Sequence, residues 1–174
     1  MKKTLFIIVG LIIVGSIFNL DFSSKYSIDN NIFEIEKEIE KRLEADIEIK
    51  IYQLTNNKFH FVFDMNGVLG SGELRRGWNN KYKFESVGHG TNSIRERIIK
   101  TNKGQYLKLA GRNIENIGKV KACIDDEIYE IDVPDGEYFL VLEPVKETEL
   151  EFTKAKIIFD RKGNEIYRIN LPEE

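Results

Sequence analysis

Between Phe59 and Asp64 the chain reads Phe-His-Phe-Val-Phe-Asp, with phenylalanine at every second position. Successive side chains of a strand point to opposite faces, so this spacing gathers three large rings on one face. A face that apolar has to be covered by another element. The cover precedes it in the chain. Ile32, Ile35, Ile39 and Leu43 recur at the spacing of one helix face, with Glu34, Glu38, Lys41 and Glu44 on the other. Asn31 followed three residues later by Glu34 is the pattern of a capping box. The spacing predicts an amphipathic helix over 32–46 that lies on the phenylalanine face. After Asp46 the period changes from 3.6 to 2, as Ile47, Ile49 and Ile51 alternate with Glu48 and Lys50. Thr55-Asn56-Asn57 then turns the chain into the phenylalanine strand, which makes a hairpin. His60 falls on the opposite face from the rings and is expected to be exposed.

The same alternation continues. Strands are expected over 68–76 and 81–87, joined through Gly77-Trp78-Asn79-Asn80, then over 105–110, and over 119–124 and 128–133 around an Asp-Asp-Glu turn. Pro134-Asp135-Gly136 announces another strand, and 155–160 returns to 165–171 through Arg161-Lys162-Gly163-Asn164. Residues 93–100 fit either a short helix capped by Asn92 or Ser93 or an edge strand, and are read as strand. The expected fold class is α+β, mainly antiparallel β, as a sandwich or roll. Residues 32–174 form the domain, with 32–103 and 104–174 as its lobes if it divides.

The N-terminus bears on the compartment. Lys2 and Lys3 precede residues 5–20, which carry no charge, and Asp21 is the first charge after them. This is the layout of a secretory signal or signal-anchor, and the charge order places the N-terminus in the cytoplasm and the domain outside. As a helix the run spans about 24 Å, short of a hydrocarbon core of about 30 Å, and Phe22 brings it close. The best cleavage site, Val14-Gly15-Ser16, lies inside the apolar run, so an uncleaved single-pass anchor over 1–22 is preferred to secretion after cleavage. Residues 23–31 read as a polar linker. Cys123 is the only cysteine, which excludes an intrachain disulfide, a two-cysteine metal site and lipid attachment near the apolar run. It shares a strand face with Lys121 and Asp125, and a neighbouring loop is expected to cover it.

The net charge of −3 hides two opposed blocks. Residues 75–121 carry twelve Lys and Arg against three Asp and Glu, and 122–174 carry six against fifteen. The first block points to an anionic partner, an envelope component, a protein or the membrane surface. Nucleic acid is disfavoured by the external placement and the lack of a recognition motif. The binding candidates are Arg75, Arg76 and Trp78 at a hairpin tip, where an aromatic beside guanidiniums suits a sugar or a headgroup layer, with Lys81, Lys83 and His89. Arg95, Arg97 and Lys100 add to the same excess.

The middle run GELRRGWNNKYKFESVGHG, then NKGQYLKLAGRNIE and the closing FDRKGNEIYRI, resembles small uncharacterised membrane-anchored or exported proteins of Gram-positive bacteria. The resemblance implies the architecture and the compartment, and brings no activity or catalytic residue with it.

Chemistry is sparse. Gly88-His89-Gly90-Thr91-Asn92-Ser93 frees the backbone to present N–H groups to an anion, but lacks the lysine of a phosphate-binding loop and reads first as a turn. His89 and Ser93 form the one base and nucleophile pairing, without a Gly-x-Ser-x-Gly elbow, and make a small hydrolase the alternative reading. Two histidines without ligand spacing give no transition-metal site. Asp125, Asp126 and Glu127, or Asp132, Asp135 and Glu137, are oxygen sets that calcium could use, at turns where acids are common for backbone reasons. No cofactor is expected. The leading expectation is a non-enzymatic, membrane-tethered binding module; an accessory subunit docking through the 32–46 helix is a further alternative.

Overall fold

The computed structural model describes residues 25–169. The expected apolar segment lies outside them, and among the described residues no helix is long and apolar enough to cross a membrane. Helix α1 (Ile32–Leu43) starts at Asn31, whose extended backbone lets its side chain accept from the Phe33 amide at 2.9 Å. The Asn31 amide itself bonds the Asp29 carbonyl, so the second half of the box is not used. The helix stops short of residue 46 because Glu44 turns left-handed and returns its amide to Glu40.

Eleven strands follow: β1 (Glu48–Thr55), β2 (Lys58–Met65), β3 (Val68–Arg76), β4 (Tyr82–Gly90), β5 (Ile94–Thr101), β6 (Gly104–Arg112), β7 (Ile117–Ile124), β8 (Glu127–Asp132), β9 (Tyr138–Val145), β10 (Ala155–Asp160) and β11 (Glu165–Ile169). All strand pairs are antiparallel. The first sheet runs β1-β2-β3-β4, the middle sheet β5-β6-β9, and the third β11-β10-β7-β8. The mainly antiparallel α+β class and the strand reading of 93–100 both hold. Residues 26–28 dock on the first sheet, where Ile28 is buried and exchanges backbone hydrogen bonds with Tyr82.

The layers follow from the side chains that meet. Ile35 and Ile39 of α1 pack with Phe59, Phe61 and Phe63, so the helix covers the ring face as its spacing required. Phe61 is the register partner of Gly72, and Phe63 of Gly70. A Cβ on Gly72 would sit 2.4 Å from the Phe61 ring and 2.7 Å from the Ser86 carbonyl, so the rings lie flat across β3 only because those two positions are bare. The other face of the first sheet meets the middle sheet through Val62, Leu69, Ala110 and Leu140. The middle sheet packs its opposite face, with Leu107, Leu109 and Phe139, against Val120, Ala122 and Ile158 of the third.

Two sequence expectations fail here for tertiary reasons. Ile51 does not share a face with Ile49, because a bulge skips Lys50 and turns Ile51 toward Val62 and Leu69. His60 is fully buried, because the face opposite the rings is covered by the middle sheet instead of by water.

Candidate cation-lined cleft between two sheets

The basic block of residues 75–121 does not form one positive face. Folding brings the acidic block against it: Arg97 meets Glu151 at 3.4 Å, Lys100 meets Glu149 at 3.7 Å, Arg112 meets Glu137 at 2.7 Å, and Lys119 and Lys121 both reach Glu130, at 3.1 and 2.6 Å. Such exposed pairs add little stability, but they set four acids of the second block, Glu130, Glu137, Glu149 and Glu151, against five cations of the first.

The proposed hairpin residues are spread over different partners. Arg75 is paired with Glu85, Arg76 donates to Asn80 Oδ1 at 2.9 Å, and Lys81 meets Asp29 at 2.9 Å. Lys83 stands 4.9 Å from the centre of the Tyr26 ring. Trp78 is 69% exposed at the β3–β4 turn, and His89 is exposed near the end of β4. No hydrogen bond joins His89 to Ser93 among the described residues, and the two line different cavities. Among the described residues no three His, Cys, Asp or Glu side chains gather as a metal ion would require. Instead Glu127 is held by Lys146, Asp135 by Arg161 and Glu137 by Arg112. Cys123 is partly buried, with Sγ 3.5 Å from the Asp125 carbonyl.

The unusual chemistry lies between the first and middle sheets, beside their apolar contact. Lys58, nearly buried, sits 2.6 Å from Glu85 and 3.4 Å from Glu73. Lys58 and Arg75 thus balance Glu73 and Glu85. His60 Nδ1 is 3.6 Å from Glu73 Oε2, too far for a hydrogen bond, and both its ring nitrogens are buried without a partner among the described residues. Burial first, then the positive charges of Lys108 and Lys58, pull the His60 pKa down to about 3.

That depression has a testable sign. The unfolded chain takes up a proton near the ordinary value of 6.5 and the folded one does not until about pH 3, so this residue's contribution to stability falls as pH drops through that window. His60→Leu is expected to remove a slope of up to about 1.4 kcal/mol per pH unit from the acid limb, measured as urea midpoints between pH 6.5 and 4. An unchanged slope would show that His60 stays neutral in neither or both states.

Beyond Glu73 the balance ends. Lys108 on β6 is the register partner of Arg97 on β5, and Arg95 is two residues along the same strand face. Lys108 is only 5% exposed, and burial lowers its pKa to about 8 despite the nearby Glu73. Among the described residues, no hydrogen bond and no acid within 4 Å reaches the Lys108 ammonium or the Arg95 guanidinium, whose pKa burial also lowers. With Arg97, Ser71, Ser86 and Gly88 they line a cleft of about 220 Å³. A groove of about 560 Å³ continues from it past Arg95 and Phe152 to His89, Asn92 and Lys156.

The string at residues 88–93 takes part for a reason its composition did not give. Gly88 to Gly90 is strand, paired with Leu69 to Ser71, and not a loop offering free amides. Its missing side chains admit Arg95: a Cβ on Gly90 would lie 3.3 Å from one terminal guanidinium nitrogen, and one on Gly88 3.5 Å from the other. Sequence reasoning included Arg95 and Arg97 only in a general excess, and passed over Lys108, Ser71 and Ser86. The available signal was Lys108 itself, a lysine between Leu107 and Leu109 in an otherwise apolar strand.

No family model, no curated protein and no solved structure matches this chain.

Proposed function

We propose that this protein is a non-enzymatic binding module, held outside the membrane by its N-terminal apolar segment, that takes an anionic envelope component into the cleft between its first and middle sheets. One observation carries the reading: Lys108 is buried and Arg95 half-buried in one cleft, and among the described residues no acid comes within 4 Å of either charged group. A buried cation without a partner is costly, and a fold that pairs its other interior cations with carboxylates has left these two for a ligand. The tether rests on Lys2 and Lys3 before the uncharged run and Asp21 after it.

The test uses the full-length chain in detergent, immobilised and exposed to solubilised native envelope. The intact protein is expected to retain an anionic component that is released by raising salt, and the double variant Lys108→Met, Arg95→Gln to retain none. Equal retention by both proteins, or no retention by either, would reject the module.

A further inference from the structure

The cleft also limits the geometry of its anion, an inference that rests on the anion-binding reading above. Its donors come from two facing sheets. Arg97 and Lys108 stand side by side on the middle sheet, Ser71 and Ser86 supply hydroxyls from β3 and β4, and Arg95 reaches across to lie over Gly88 and Gly90. Glu96 also lines the space, but it is held by Thr153 at 2.7 Å and Lys156 at 3.0 Å, and Arg97 shares its guanidinium with Glu151 at 3.4 Å, outside the lining of the cleft. Donors disposed on opposite sides suit an anion whose oxygens point in several directions, whereas a planar carboxylate concentrates its two oxygens in one plane. At about 220 Å³ the cleft is smaller than the usual space for a whole small molecule, roughly 300–1,000 Å³. It fits one group, and the adjoining groove gives room for a body attached to it.

We propose that the inner cleft binds a single tetrahedral oxyanion, a phosphoryl or sulfuryl group, between Arg95, Arg97 and Lys108 with the Ser71 and Ser86 hydroxyls.

Full-length protein in detergent is titrated calorimetrically at constant ionic strength with inorganic phosphate, sulfate, acetate and sn-glycerol 3-phosphate. Phosphate and sulfate are expected to bind at least tenfold more tightly than acetate, and Lys108→Met and Arg95→Gln each to weaken phosphate about tenfold or more, as befits loss of a hydrogen bond to a charged group. Lys103→Gln, an exposed position outside the cleft, removes the same net charge and is expected to leave binding unchanged. Tighter binding of the glycerol ester supports an attached phosphoryl group, and no gain supports the free ion. Acetate binding as tightly as phosphate, or phosphate binding that both cleft variants retain, would overturn the proposal. If envelope retention persists while phosphate fails, the tetrahedral geometry falls and the module stands; if both fail, the module falls too.

Discussion

Lys108→Met is expected to make the protein more stable, by up to about 3 kcal/mol at pH 7. Lys108 is 5% exposed and its pKa is drawn from 10.5 to about 8 by burial, a difference that disfavours the charged form by about 1.4 kcal/mol for each pH unit. Below pH 8 the group is charged in both folded and unfolded chains, so the full cost is present there. Between pH 8 and 10.5 the unfolded chain holds the proton and the folded chain releases it, and the stability of the natural protein rises with pH. Methionine fills a similar volume without the charge, so the variant should show a higher urea midpoint at pH 7 and no rise toward pH 10. This is the pattern of a residue kept for binding at the expense of stability. A variant less stable than the natural protein at pH 7 would instead mean that the ammonium supports the fold, and would remove the main support for a ligand.

Phe61→Ala is expected to cost about 3–5 kcal/mol, the usual range for removing a buried ring. Phe61 is fully buried, its ring 6.0 Å from those of Phe59 and Phe63, and it packs in one cluster with Ile35 and Ile39. The gap cannot be filled from below, because Gly72 under the ring has no side chain to offer. Denaturant unfolding of the variant measures the loss. A change below about 1 kcal/mol would show that α1 closes onto the first sheet and that the helix is loosely held there.

The local elements were legible because each is governed by neighbours in sequence. The helix could be read from the spacing of Ile32, Ile35 and Ile39, the second strand from Phe59, Phe61 and Phe63, and most hairpins from the turn residues between alternating runs. Faces were less legible where a bulge intervened: nothing in Ile49-Lys50-Ile51 marks the point at which the register slips and Ile51 turns to the other side. The glycine string at residues 88–90 was seen, but its use was not, since its bare positions matter only when an arginine from another sheet arrives over them.

The sequence by itself determined the helix, most of the strands, the cover over the phenylalanine face and the presence of two opposed charge blocks. Only the tertiary structure decided which charges survive. Whether a cation is neutralised depends on what approaches within a few ångströms in space, and Coulomb attraction takes no account of chain order. Glu149 and Glu137 therefore cancel Lys100 and Arg112, while sheet stacking buries Lys108 and half-buries Arg95, with no acid within 4 Å of either among the described residues. The same stacking sealed His60, which a single strand's alternation had placed in water. A strand's period shows which residues share a face; which layer then covers that face depends on contacts far apart in the chain.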